Sequence, residues 1–132
     1  MQGWQLQQGA TLLMPSGPDG DHLFVVLNDS KVFPGYGANA HVLLVNLSTV
    51  PRTGVHYDPT CVLQPGCHPF VTAASYVVYR SARIDPEAHV LGMVEKGIFR
   101  PHQPMPAEIV AAMRAGLTTS PFTKREFKGL PI

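Results

Sequence analysis

Two apolar stretches decide the fold of this chain: HLFVVL at residues 22–27 and HVLLVNLST at residues 41–49. Both are rich in β-branched and large apolar residues and are bounded by turn-forming residues, a pattern typical of β-strands. Within each stretch the apolar residues follow one another without alternation, which indicates burial on both faces. The sequence therefore predicts two central strands that are covered from both sides.

Shorter strand signals occur at residues 10–14, 60–63, 76–79 and 83–85. The first of them is separated from residues 22–27 by a turn-rich segment, so we expect the two to form a hairpin. Residues 90–94 fit a strand or a helix. The clearest helix runs from Pro106 to Ala115, with Glu108 near its positive N-terminus and Gly116 as a C-terminal stop.

Five or six short strands and one late helix predict a mainly β fold with one or two C-terminal helices, arranged as a small, strongly bent barrel. The length of 132 residues fits one domain. Gly and Pro number 12 and 13, which favours many turns over a helical bundle. We expect residues 1–132 to form a single barrel domain, with residues 118–132 as a loosely held tail.

Composition excludes several classes of protein. Hydrophobic residues make up 45% of the chain, which excludes a disordered chain, and a net charge of +1 gives no global attraction to nucleic acid or anionic membrane. Residues 1–8 lack a secretory leader, and no apolar run approaches the roughly 20 residues of a membrane span. Two cysteines make no disulfide framework, so we expect a soluble, cytoplasmic protein without a membrane partner.

The sequence lacks the motifs of a zinc site, a serine hydrolase and a phosphate-binding loop. Cys61 and Cys67 have five residues between them, wider than the two to four of zinc knuckles, and only His68 is nearby. No Ser lies in a nucleophile elbow, and no Gly-Lys-Ser/Thr follows the loop glycines. We therefore expect no metal and no cofactor.

Polar residues gather at the predicted ends of the two central strands. His22 opens the first, and Ser48 and Thr49 close the second, so an antiparallel pair brings them to one end of the sheet. Arg52 and His56 follow in a loop that can fold over this end. An imidazole, a hydroxyl and a guanidinium suit RNA cleavage by the neighbouring 2′-hydroxyl. The alternative is that these residues are ordinary polar ends of strands.

The order of elements resembles the MazF/PemK-type toxin endoribonucleases. The likeness covers about residues 10–117 and rests on HLFVVL, the glycine-rich loop after it, HVLLVNLST, SYVVYRSARID at residues 75–85, and the late helix. It is a resemblance of layout and apolar pattern. It implies an SH3-like, PemK-like barrel that forms a homodimer, cleaves single-stranded RNA and is bound by a cognate antitoxin protein.

The resemblance also assigns residues to roles. That family uses an Arg from an Arg-Pro pair and a Ser or Thr that closes the next strand. Thr49 or Ser48 matches the second position, whereas His22-Leu23 stands in place of Arg-Pro. Three alternatives follow: His22 takes over the proton transfer, Arg52 supplies the positive charge from the loop, or the chemistry is absent.

The same comparison predicts an RNA-binding surface. We expect Arg80, Arg83 and His56 to contact the substrate, with surface solvation as the alternative for the two arginines.

A non-enzymatic barrel module that binds a protein or peptide is the alternative function. The aromatic and proline-rich segments at residues 33–36 and 69–70 would then form the contact surface. The two functions differ in geometry, since an enzyme requires His22, Thr49 and Arg52 in one concave site. A binding module requires an apolar groove with those residues scattered.

Overall fold

The computed structural model describes residues 3–132, with Asp19 described by its backbone alone, so Met1 and Gln2 of the predicted domain lie outside the described residues. The strands are β1 (Thr11–Pro15), β2 (Asp21–Val26), β3 (His41–Thr49), β4 (Val62–Leu63), β5 (Ser75–Val77), β6 (Arg83–Pro86) and β7 (Arg100–His102). The helices are α1 (Glu87–Glu95), α2 (Ala107–Thr119) and α3 (Arg125–Lys128).

The strands form one antiparallel sheet in the order β4-β5-β3-β2-β1-β7, and β6 also pairs with β3. The predicted β1–β2 hairpin is confirmed, with Met14 opposite His22. Within residues 3–132 the end strands β4 and β7 do not pair with each other, so the sheet is not closed into a barrel. The mainly β fold is thus confirmed, whereas the closed barrel expected from the sequence is not.

The central strands are buried on both faces, as their continuous apolar runs predict. On one face, Leu23 and Val25 of β2 pack with Val45 of β3, α2 and Tyr79 in the larger core. On the other face, Phe24 and Val26 pack with Leu44, α1 and Phe99 in a smaller core. Because side chains alternate between the faces of a strand, one unbroken apolar stretch can serve both cores.

One open choice is settled, and two elements depart from the sequence-based expectation. Residues 90–94 lie within α1, which settles the open choice between strand and helix. Strand β7 has the sequence RPH, with no apolar alternation to reveal it. Helix α2 does not stop at Gly116 but continues to Thr119. Gly116 is buried inside the helix, and Tyr79 packs against it.

The segment 118–132 makes specific contacts, which argue against the loosely held tail expected from its mixed composition. Phe127 on α3 is buried in the larger core. The Arg114 guanidinium donates hydrogen bonds to the backbone oxygens of Leu27 (2.9 Å) and Ile132 (2.6 Å), and Lys31 bonds the carbonyl of Pro131. These bonds hold the segment against the sheet.

Candidate active site and an adjacent aromatic cleft

His22 and Ser48 meet at one end of the central strand pair. The β2–β3 ladder ends with Phe24 opposite Asn46, and His22 and Ser48 each lie two residues beyond this pair. On the other side of β3, Ser48 and Thr49 lie opposite Tyr76 and Ser75 of β5. Neighbouring residues of a strand face opposite ways. Ser48 is therefore the hydroxyl that shares a face with His22.

A cleft of about 370 Å³ opens at this point. We call it the histidine cleft; its polar lining residues are Asp21, His22, Ser48, Thr49, Thr72 and Ser75. The segment 70–73 supplies the rest of the lining together with Leu47. Three of the four residues predicted as catalytic thus share one concave site.

The two ring nitrogens of His22 determine how its imidazole can contact a ligand. Its Nδ1 is buried and has no hydrogen-bond partner among residues 3–132. Because Nδ1 is enclosed by the protein, Nε2 is the ring nitrogen that can reach a ligand. A histidine that acts in acid–base catalysis is usually oriented by an acceptor at its other nitrogen, and His22 lacks one.

Positive charge is sparse in the histidine cleft. None of the described residues that line it is Arg or Lys. Arg52 lies in an exposed turn, in which its carbonyl accepts a hydrogen bond from Val55 at 3.3 Å, and it is not brought to the cleft. Arg100 of β7 forms an ion pair with Asp21, a lining residue. Sequence reasoning overlooked Arg100, although Arg100 and Pro101 form an Arg-Pro pair at the start of β7.

One wall of the histidine cleft is fixed by a buried histidine. His68, 2% exposed, donates from Nε2 to the carbonyl of Gln103 (2.7 Å) and accepts the Phe70 N–H at Nδ1 (3.0 Å). The same Gln103 carbonyl accepts the Thr11 hydroxyl at 2.6 Å. His68 therefore joins the segment 70–73 to β7 and, through Gln103, to β1.

The surroundings of His68 favour its neutral form. Burial lowers the pKa of His68 below its ordinary value of 6.5, the hydrogen bond to Gln103 offsets part of this, and His102 lowers the pKa further. The rings of His68 and His102 have centroids 4.8 Å apart. No pattern around His68 in the sequence distinguishes this structural role from a ligand role.

The cysteines and His68 do not form a metal-ligand set. Both ring nitrogens of His68 are occupied by backbone groups. Cys61 and Cys67 are free thiols, and burial raises the pKa of each. Across the described part of the chain, no group of three or more His, Cys, Asp or Glu is placed to hold a metal ion.

A second cleft, of about 360 Å³, includes Tyr76 of β5 in its lining. We call it the tyrosine cleft; the residues of interest in its lining are His56, Tyr57, Asp58, Tyr76, Arg80 and Phe122. The rings of Tyr57 and Tyr76 are tilted by 50° with centroids 5.1 Å apart. Since Ser75 lines the histidine cleft and Tyr76 lines this one, the two clefts adjoin at β5.

Two of the predicted substrate contacts, His56 and Arg80, meet in the tyrosine cleft, and the third does not. Arg83 on β6 pairs with Asp85 at 2.9 Å, and its guanidinium lies 6.0 Å from the centroid of the Phe24 ring. Phe24 belongs to the smaller core. Arg83 therefore lines neither cleft.

Asp58 connects two of the three chain segments that form the tyrosine cleft. Its buried carboxylate accepts hydrogen bonds from the Ser120 hydroxyl (2.6 Å) and the Thr60 N–H (3.0 Å). Burial alone raises the pKa of Asp58, but the hydrogen bonds from Ser120 and Thr60 outweigh it and hold the pKa below the ordinary value of 3.8. No local sequence pattern predicts this link, because residues 58 and 120 are far apart in the chain.

Comparisons with known proteins add no name to this arrangement. No protein-family model, curated protein sequence or solved structure matches the chain. Between residues 3 and 132, none of the helices has the length and apolar character needed to cross a membrane. The function is therefore argued from the two clefts themselves.

Proposed function

We propose that this protein is a toxin-like endoribonuclease that cleaves single-stranded RNA without a metal ion. The observation that carries the proposal is the meeting of His22 and Ser48 in one open cleft at the end of the β2–β3 pair. The MazF/PemK-type resemblance supports it through the same two strands. In this proposal the open seven-stranded sheet is a variant of the SH3-like, PemK-like barrel.

The proposed reaction is transesterification within the RNA. Nε2 of His22 accepts the proton of the 2′-hydroxyl while the 2′-oxygen forms a bond to phosphorus. The bond from phosphorus to the 5′-oxygen breaks, and the leaving oxygen takes a proton from water. The products are a 2′,3′-cyclic phosphate and a 5′-hydroxyl. The Ser48 hydroxyl donates a hydrogen bond to a non-bridging phosphate oxygen, and Thr49 supports the same phosphate from the cleft rim.

Charge on the pentacoordinate phosphorus must be offset by a cation. The sequence assigned this role to Arg52, whose position in an exposed turn does not support it. Arg100 is the better candidate, because its ion pair with Asp21 holds the guanidinium beside a residue of the histidine cleft. A guanidinium has five N–H donors, so pairing with one carboxylate leaves donors for a phosphate.

The proposal includes the partners that the resemblance implies. A cognate antitoxin would inhibit the enzyme by covering the histidine cleft, where Phe70 leaves 41% of its surface exposed. A second copy of the chain would form the homodimer. The two free thiols support a reducing, cytoplasmic compartment.

The test is incubation of the purified protein with a mixed-sequence single-stranded RNA in EDTA, followed by analysis of fragment ends. The proposal predicts 2′,3′-cyclic phosphate and 5′-hydroxyl ends, and no cut in an all-deoxy strand of the same sequence, which lacks the 2′-hydroxyl. Cleavage that requires an added divalent metal, or that leaves 5′-phosphates, would contradict the mechanism.

A non-enzymatic module that binds a protein or peptide is the second candidate. The unpartnered Nδ1 of His22 and the absence of an arginine among the described lining residues of its cleft favour it. The convergence of His22, Ser48 and Thr49 favours the enzyme, because a binding module has no need to bring these residues together. A folded wild-type protein that cuts no RNA would support the binding module.

A further inference from the structure

The tyrosine cleft contains aromatic surface that the cores do not use. Phe122 leaves 53% of its surface exposed, and Tyr57 and Tyr76 are only half-buried. None of the three belongs to either hydrophobic core. They come from three distant segments: the loop before β4, strand β5 and the turn after α2. The fold thus collects three ring surfaces at one concave place.

A hydrogen-bonded connection sets the position of Phe122. The Ser120 hydroxyl donates to the buried carboxylate of Asp58 (2.6 Å) and accepts the backbone N–H of Phe122 (3.1 Å). Asp58 directly follows Tyr57, so this connection fixes the Phe122 segment against the tyrosine pair. A buried carboxylate is unfavourable unless it is hydrogen-bonded, and here its partners are the groups that shape the cleft.

Positive charge accompanies the rings. Arg80 lines the tyrosine cleft, is exposed, and forms no ion pair with any residue in the range 3–132. His56, also exposed, lines the same cleft. Exposed aromatic surface beside an uncommitted arginine is the combination with which proteins bind single-stranded nucleic acid, through base stacking and phosphate contact.

We propose that the tyrosine cleft binds one unpaired base of the RNA between Phe122 and the Tyr57–Tyr76 pair, while Arg80 contacts its phosphate. This inference rests on the proposed function for the identity of the ligand. Ser48 lies opposite Tyr76 in the β3–β5 register, so the bound base belongs to a nucleotide beside the cleaved phosphate. A base within a duplex is stacked on its neighbours and cannot enter, which makes the cleft a selector for single strands.

The test measures binding of an octanucleotide in which every 2′-hydroxyl is methylated, so that it cannot be cleaved. Phe122→Ala should weaken binding about 5- to 150-fold, the range for loss of a base–aromatic stack. Tyr76→Ala should have a similar effect. The matched control is Ile98→Ala, which removes an exposed apolar side chain that lines neither cleft and should leave binding unchanged.

A second arm tests the phosphate contact and the base itself. Arg80→Ala should reduce the slope of log K against log salt by about 0.7, the value for one contact to a single strand, whereas Lys96→Ala at the end of α1 should not. A probe with the same phosphates but abasic sugars should bind the wild type and Phe122→Ala equally. The inference would be overturned if Phe122→Ala and Tyr76→Ala bound the intact probe as tightly as the wild type does. It would also be overturned if the wild type bound a duplex as tightly as the single strand.

Failure of this inference and failure of the proposed function give different results. If binding depends on Phe122 but ordinary RNA is not cleaved, the base-binding site is supported and the endoribonuclease function is contradicted. If RNA is cleaved but binding does not depend on Phe122, the endoribonuclease function is supported and the base-binding site is contradicted. Because Phe122 is largely exposed, its substitution leaves both cores intact.

Discussion

The ring of Tyr79 fills the space that a side chain at Gly116 would need. A Cβ at Gly116 would overlap the Tyr79 hydroxyl and lie 2.6 Å from Cζ, while that hydroxyl donates a hydrogen bond to the Met113 carbonyl at 2.8 Å. Tyr79 is fully buried. The approach of α2 to the sheet therefore depends on a residue without a side chain at position 116.

Substitution of Gly116 tests this packing. Gly116→Ala should lower the free energy of unfolding by at least about 1–3 kcal/mol, the usual effect of overpacking a core. The matched control is Gly92→Ala in α1, where nothing lies within 4 Å of the added Cβ. That variant should be more stable by about 0.5–1 kcal/mol, since Ala is favoured over Gly inside a helix. Urea denaturation of both variants provides the measurement, and equal stabilities would contradict the packing.

Asp58 makes stability depend on pH in the acid range. Its folded-state pKa lies below 3.8, so its contribution is present above that value and is lost as the pH falls through the folded-state pKa. Asp58→Asn should remove this dependence and destabilise the protein at pH 7 by about 1–3 kcal/mol, because Ser120 and Thr60 lose a charged acceptor. Urea denaturation between pH 7 and 3 measures it. A constant difference between wild type and variant would be inconsistent with the account.

The lowered pKa of His68 predicts a second decrease in stability on acidification, at a higher pH than the decrease caused by Asp58. Its folded-state pKa is below 6.5, so stability is greatest above 6.5 and decreases as the pH falls from there through the folded-state pKa. Protonation of Nδ1 also removes the acceptor for the Phe70 N–H, so hydrogen exchange of that amide should quicken at low pH beyond its intrinsic change. His68→Gln should abolish the stability effect. The exposed His89 offers a control, since His89→Gln should leave it intact.

Ser48 and Thr49 should contribute unequally to cleavage. Ser48 shares a face of the strand pair with His22, so Ser48→Ala should reduce kcat/KM about 10- to 100-fold, the effect of losing one hydrogen bond to a charged group. Thr49→Ala should reduce it less, because the next residue of a strand faces the opposite way. Single-turnover kinetics on a defined RNA measures both. A larger loss with Thr49→Ala would mean that the resemblance identifies the hydroxyl better than the strand register does.

The strands that the sequence predicted correctly are those whose signal lies in a short local pattern. Residues 22–27 and 41–49 predicted their strands because unbroken apolar runs require two covered faces, and both cores are present. The antiparallel pairing then brought His22 to Ser48 and Thr49. These predictions needed only strand periodicity and the direction of the chain.

The features that sequence reasoning missed depend on contacts between distant residues. The Asp58–Ser120 bond spans 62 positions, and His68 reaches Gln103 across 35. The stop predicted at Gly116 was wrong because a glycine in a helix can also serve close packing, here against Tyr79. Arg52 was predicted from its position shortly after β3, whereas the fold brings Arg100, far away in the chain, beside Asp21.

The most direct measurement of the central claim is RNA cleavage in EDTA by His22→Ala beside His89→Ala. Both variants remove one imidazole, but His89 lies on α1 and lines neither cleft. The account predicts that His22→Ala lowers the cleavage rate by at least about 100-fold, as loss of a general acid–base group does, while His89→Ala cleaves like the wild type. Undiminished cleavage by a folded His22→Ala protein would contradict the assignment of the histidine cleft as the active site.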